Sequence, residues 1–279
     1  MLYITGDTHG LHDIDKLYKL ADTVKDQVTH LEVAAQVFGS DSKVEINIPK
    51  LQDEIFVIIA GDFGFIWRNP EGPKGEGTPI HIKDMRTIRH VFDKMPFTVL
   101  FLDGNHENFD VIETLPIVEK WGGKVQPVTD NVYHLMRGEV YTIDNKSILT
   151  IGGGLSVDRK YRTEGYSWWP QEELLESELG NALVNLEKTQ NKVDIVISHT
   201  APQSVVKELD AHLPPWQYGV WGMKIDDPTA VKLNTVLANI DTSDWYFGHF
   251  HIDKEVSLPE GNPQEHIKFH ALYNDIKAV

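Results

Sequence analysis

The sequence predicts an α/β fold with mixed sheets, on the strength of two patterns. In the first half, short apolar runs rich in β-branched residues alternate with stretches of helical spacing, the order expected of parallel strand–helix–strand units. Around residues 125–151 and 252–273, several strand-like runs follow one another with no helix between them, which calls for antiparallel pairing.

Taken in order, residues 2–5, 55–60, 98–102, 148–151, 193–197 and 244–247 have the character of buried strands. Helical spacing covers 12–25, 80–94, 109–121, 171–187 and 228–239. Pro79, Pro170 and Pro228 stand where helices would start, the position at which a missing N–H costs least. Residues 26–53 are polar and irregular and read as an insertion between the first two strands. The stretch "RNPEGPKGEGTP" (68–79) is too rich in Gly and Pro for regular structure. The stretch "LPPWQYGVWG" (213–222) suits either a lid or specificity loop or a packed surface loop. No repeat and no shift of composition marks a boundary, so residues 1–279 are expected to form a single domain.

With 41% hydrophobic residues and a mean hydropathy of -0.30, the 279-residue chain has the balance of a soluble globular protein. No apolar stretch reaches about 18 residues, so no spanning helix is expected. Nor does a basic segment lead into an apolar one, so no secretory signal is expected. There is no cysteine, which excludes disulfides and thiolate metal sites and leaves His, Asp, Glu and Asn as candidate ligands. That composition suits a cytoplasmic protein. The formal net charge of -16 argues against an extended nucleic-acid-binding surface, which needs clustered Lys and Arg. It also repels anionic substrates at long range, so phosphate binding would need a strong local positive charge such as a bound metal.

Five apolar runs end in the same chemistry. "GDTHG" presents Asp7 and His9, "GDFG" Asp62, "GNHE" Asn105 and His106, "SHT" His199, and "GHFH" His249 and His251. The crevice beyond the carboxyl ends of strands in α/β sheets is a usual ligand site. Asp7 and His9, two residues apart, would lie on one side of an extended strand end, and so would His249 and His251. Gly6, Gly61, Gly104 and Gly248 let the backbone turn and leave room for a ligand. Carboxylates and imidazoles suit borderline divalent or trivalent ions: Mn first, with Fe, Zn or Ni also compatible. Asp7, His9, Asp62, Asn105, His199, His249 and His251 make seven ligands, too many for one tetrahedral site and about right for two ions with open positions. Ions roughly 3.5–4 Å apart need a bridging ligand, and a central Asp62 carboxylate would serve. His106, next to a ligand and left over, fits a proton donor.

In this order and at these strand ends, the motifs resemble the calcineurin-like metallophosphoesterase superfamily, over residues 7–251. The resemblance implies a four-layer α/β/β/α sandwich with two mixed sheets. It implies that Asp7, His9 and His251 hold one metal ion, that Asn105, His199 and His249 hold the other, and that Asp62 is shared. It further implies in-line attack on phosphorus by a metal-bridging hydroxide, with His106, beside the catalytic Asn105, stabilising the transition state and protonating the departing oxygen. A phosphate ester is the implied substrate. A nuclease or cyclic-nucleotide phosphodiesterase uses the same metal core, and relatives that have lost ligands act as protein-binding scaffolds, but every ligand position is filled here. One departure stands out. Where protein phosphatases of the superfamily continue as GDxxDRG, this chain reads "GDFGFIWR", with Phe65 in place of the second Asp. The carboxylate that orients the proton donor is then absent, and Glu107 or Asp103 is the expected substitute. Finally, three glycines lead into Arg159, Lys160 and Arg162, so Arg159 or Arg162 is expected to grip substrate phosphate bidentately.

Overall fold

The computed structural model describes residues 1–37, 48–66, 85–212 and 227–279. Their core is built from two sheets. In the first, β1 (Leu2–Thr5), β2 (Phe56–Ile59), β3 (Thr98–Phe101) and β6 (Val132–Leu135) run parallel. The antiparallel strands β5 (Gly123–Pro127) and β4 (Val118–Lys120) extend one side of it, and β13 (Ile276–Ala278) pairs antiparallel with β1 on the other. The second sheet has the order β11 (Lys254–Val256), β12 (Lys268–Ala271), β10 (Asp244–Phe247), β9 (Ile195–Ser198), β8 (Lys146–Ile151) and β7 (Glu139–Ile143). Parallel pairing links β8, β9, β10 and β12, and an antiparallel strand closes each edge.

Side-chain alternation along these strands produces the layers. Leu2, Ile4, Ile58, Leu100 and Leu135 of the first sheet meet Tyr141, Ile148, Ile195 and Ile197 of the second in one buried cluster. The opposite faces are covered by helices. Val57, Ile59, Val99 and Phe101 pack under α1 (Asp15–Val37) and α3 (Met85–Phe92). Leu149, Val196, Trp245 and Phe269 pack under α5 (Glu176–Lys188), α6 (Gln203–Ala211) and α7 (Pro228–Leu237). The result is the four-layer α/β/β/α sandwich with two mixed sheets.

Several expected elements differ in extent. The helix expected over 12–25 runs on to Val37, and Ile48–Glu54 forms a further helix, α2, so residues 26–53 hold more regular structure than their polarity suggested. The helix expected over 109–121 stops after one turn, α4 (Phe109–Ile112). Pro116 bars continuation, and Val118–Lys120 pairs as an edge strand instead. Pro170 opens only a 3₁₀ turn, and α5 starts at Glu176, where the Glu178 carboxylate accepts from Leu175 N at 2.7 Å. Strand β13 is too short to show a pattern in sequence. Pro79 and the loops 68–79 and 213–222 lie outside the described residues.

A buried ionic cluster joins the two sheets where the chain crosses between them. Asp103, just beyond β3, accepts from His134 of β6 at 2.9 Å and from Arg137 Nε at 2.8 Å. Arg137 also reaches Glu178 of α5 at 2.9 Å. Burial favours a neutral Asp103, but the Arg137 charge and the His134 hydrogen bond outweigh it and hold the carboxyl well below its usual range. Asp103 therefore contributes stability above the ordinary carboxylate pKa of about 4, and that contribution is lost as pH falls through its lower folded value. Arg137→Met should strand a buried carboxylate and cost about 3–5 kcal/mol by urea unfolding at pH 7. A loss under about 1 kcal/mol would show that the cluster contributes little.

Candidate metal centre

The strand ends converge as expected, although the local geometry is not that of extended chain. Asp7, His9, Asp62 and His251 each offer a donor atom, and the four atoms lie within 4.8 Å of one another, the one such group among the described residues. His9, Asp62, His249 and His251 all have positive φ, from 44° to 66°. Asp7 and His9 thus come together through a left-handed residue after β1 and not through extended alternation, while His249 and His251 turn to different donor groups. Non-glycine residues in that region carry strain, and such strain concentrates at functional sites.

Asp62 sits between two groups of donors. Its Oδ2 is 3.3 Å from His9 Nε2, and its Oδ1 is 3.4 Å from His199 Nε2. On the first side, His251 Nε2 lies 3.2 Å from Asp7 Oδ2, and the His9 and His251 rings are 4.8 Å apart. On the second, His199 Nε2 lies 3.1 Å from Asn105 Oδ1 and 3.2 Å from His249 Nδ1. Three of the donors have an anchor behind them. Asp13 Oδ2 takes His9 Nδ1 at 2.9 Å, the Ala60 carbonyl takes His199 Nδ1 at 2.9 Å, and Asn105 Nδ2 donates to Ser156 Oγ at 3.2 Å. Such partners fix which ring nitrogen faces a metal.

The electrostatics fit a cation site. Asp7 and Asp62 are fully buried, which favours their neutral forms, yet both stay below the ordinary carboxylate range. For Asp7 the His251 hydrogen bond and the His199 charge outweigh burial; for Asp62 the charges of His199 and His106 and the His9 contact do so. Burial opposes a charge on His9 too, but Asp13 and Asp62 push it up to about 10. His249, by contrast, is driven down to about 3 by burial and by neighbouring His199, leaving its ring free to donate an electron pair. Two buried carboxylates collect positive charge here, on His9 above all, and the other imidazoles and an amide add further nitrogen and oxygen donors. The donor set fits two borderline metal ions.

His106 lies beside this group, its ring 5.3 Å from His9 and its backbone N–H donating to Asp62 Oδ1 at 2.8 Å. Neither expected acid serves its side chain in the way foreseen. Asp103 is committed to Arg137 and His134, while Glu107 turns inward to accept from Gly64 N at 3.0 Å and is kept neutral by burial. Instead Arg162 Nη2 stands 3.3 Å from His106 Nε2, steadied by Asp158 at 2.8 Å. Burial pushes His106 down to about 4, with Asp62 opposing and Arg162 adding to the fall. Arg159 is turned away, paired with Glu173 at 2.8 Å near the Trp168 ring. Of the two arginines, Arg162 is the one at the centre.

Fold and site together define a double-sheet sandwich with a cluster of candidate metal donors at its strand ends. The chain belongs to the calcineurin-like phosphoesterase family, whose profile matches residues 2–253. It is 27% identical over 221 residues to the lariat debranching enzyme of Schizosaccharomyces pombe, a match covering 75% of this chain and 45% of the relative. It is 25% identical over 210 residues to lariat debranching enzyme A of Xenopus laevis, covering 70% and 37%. The chain therefore spans less than half the length of either relative.

Asp13, Ser156 and Lys16 were not legible as site residues. Lys16 Nζ donates to the carbonyls of Gly6, Asp7 and Tyr273, and burial pushes it down to about 8. A carboxylate four residues after His9 is the one signal that sequence offers for Asp13. The close fit also makes a glycine testable. A Cβ on Gly104 would stand 2.1 Å from Asp62 Oδ1 and 2.7 Å from His199 Nε2. Gly104→Ala should keep the far-ultraviolet circular dichroism of the parent and weaken Mn binding on the order of tenfold or more by calorimetry. Unchanged affinity would mean that the donors are not held by this packing.

Proposed function

We propose that the protein hydrolyses phosphate esters at a dinuclear metal centre, with Asp7, His9 and His251 holding one ion, Asn105, His199 and His249 the other, and Asp62 between them. One observation carries this reading: the two oxygens of Asp62 face different donor groups, at 3.3 Å and 3.4 Å. Two bound cations, with manganese first and iron, zinc or nickel as alternatives, would supply an acidified water and offset phosphate charge.

The chain's own residues do the rest. Asp13 and the Ala60 carbonyl hold the rings of His9 and His199 so that each Nε2 faces inward. Arg162 is the cation placed to grip a phosphate oxygen, with Asp158 fixing its guanidinium. Because a guanidinium only donates, His106 Nε2 accepts from it when no substrate is present. A phosphate entering between the two separates them, and its negative charge raises the imidazole's hold on a proton. As the bond from phosphorus to the leaving oxygen breaks, His106 delivers that proton to the oxygen and recovers one from solvent. Arg159 is assigned no role in the phosphate site, since Glu173 holds it.

A debranching activity within a phosphoesterase family implies phosphorus with two ester arms, so a diester is the class to test first. The acidic surface argues against a long nucleic-acid footprint and leaves recognition to the crevice. The absence of cysteine supports a cytoplasmic setting. Among the described residues no helix is long and apolar enough to cross a membrane.

Protein stripped of metal and reloaded with Mn should hydrolyse bis-p-nitrophenyl phosphate, and metal-free protein should not. His106→Ala should retain both ions and lose about 10²–10⁴-fold in kcat. Full activity in that variant would exclude His106 as the proton donor, and inert metal-loaded wild type, on mono- and diesters alike, would overturn the reading.

A further inference from the structure

The last residues of the chain, beyond the stretch matched to the family, return to the metal centre. Strand β13 pairs with β1, and the turn before it is fastened on three sides. Asp253 accepts from the backbone N–H groups of Tyr273, Asn274 and Asp275 at 2.7, 3.1 and 2.9 Å. Thr5 Oγ1 donates to the Asp275 carbonyl at 2.9 Å, and Lys16 Nζ donates to the Tyr273 carbonyl and to that of Asp7. The turn is thus tied to the segments that carry Asp7 and His251.

This fastening puts Tyr273 against one histidine of a donor group and against the anchor of the other. Its ring stacks on His251 with centroids 4.8 Å apart and planes 17° from parallel. Its hydroxyl donates to Asp13 Oδ1 at 3.1 Å, and the other Asp13 oxygen holds His9 Nδ1 at 2.9 Å. The second group has different anchors, namely Ser156 behind Asn105 and the Ala60 carbonyl behind His199.

We infer that Tyr273 is a positioning residue for the Asp7–His9–His251 half of the centre, fixing His251 through its ring and His9 through Asp13, so that the carboxyl-terminal turn sets the affinity of one metal ion and not of the other. The inference rests on the dinuclear reading. The two parts of Tyr273 act separately, the ring confining His251 and the hydroxyl confining Asp13. Outer partners of metal-binding histidines typically affect affinity by about 10–100-fold.

The test is Mn titration of metal-free wild type, Tyr273→Phe, Tyr273→Ala and Ser156→Ala, followed by calorimetry and by electron paramagnetic resonance, which separates a lone Mn ion from a coupled pair. Thermal unfolding in chelator checks that each variant is folded. The wild type should bind two ions and give the coupled spectrum. In Tyr273→Ala one ion should bind about tenfold or more weakly with the other unchanged, so that one equivalent gives the lone-ion spectrum. Tyr273→Phe, which keeps the stacked ring, should recover part of that loss and decides between the outcomes if the alanine variant is misfolded. Ser156→Ala should weaken the opposite ion. Two unchanged affinities in the folded Tyr273 variants, or equal weakening of both ions, would overturn the inference. A wild type that binds a single ion would overturn the dinuclear reading instead, and Tyr273 would keep its role only if Tyr273→Ala weakened that ion.

Discussion

Two carboxylates buried among histidines are the constraint on which the rest of this structure depends. Asp7 and Asp62 have no exposed surface to share with water, and a charge in that setting is costly unless compensated. Compensation comes from several elements at once: the backbone N–H of His249 on Asp7, the N–H of His106 on Asp62, and the imidazoles of His251, His9 and His199. No single strand carries these groups. The fold must bring the ends of β1, β2, β3, β9 and β10 to one place, and the double-sheet sandwich does so by keeping those strands parallel within each sheet.

Rigidity is the second requirement. Four donor residues sit in left-handed backbone, each costing on the order of 1–3 kcal/mol that surrounding contacts must offset. Those contacts are visible. Glycines at 61, 104 and 248 lie so close to donor side chains that a methyl group would fall 2.1 Å from an atom of one of them. Lys16, Asp13, Ser156 and the Ala60 carbonyl then hold the outer edges. Preorganisation of this kind suits a centre in which a phosphate ester must be placed to within a fraction of an ångström of its attacking and leaving groups.

Much of this was legible in the sequence, for a physical reason. Buried strands read as short apolar runs, and polar residues at their ends break the run abruptly, so "GDTHG", "GDFG", "GNHE", "SHT" and "GHFH" stood out. Parallel and antiparallel regions followed from the presence or absence of intervening helices. What escaped was set by tertiary context. The one-turn helix at Phe109 ends because Pro116 interrupts an otherwise helical spacing, and the late start of α5 depends on where Glu178 directs its oxygens. The neighbour of His106 proved to be Arg162, while Asp103 is claimed by Arg137 from the connection after β6. Tyr273 and Asp13 are 260 residues apart, and nothing in either local stretch announces the hydrogen bond between them.

The position of the ions themselves tests the central claim most directly. Crystals grown with Mn and measured at its absorption edge should give two anomalous peaks about 3.5–4 Å apart. One peak should lie among Asp7, His9 and His251 and the other among Asn105, His199 and His249, with Asp62 between them. A single peak, or peaks away from these residues, would contradict the account.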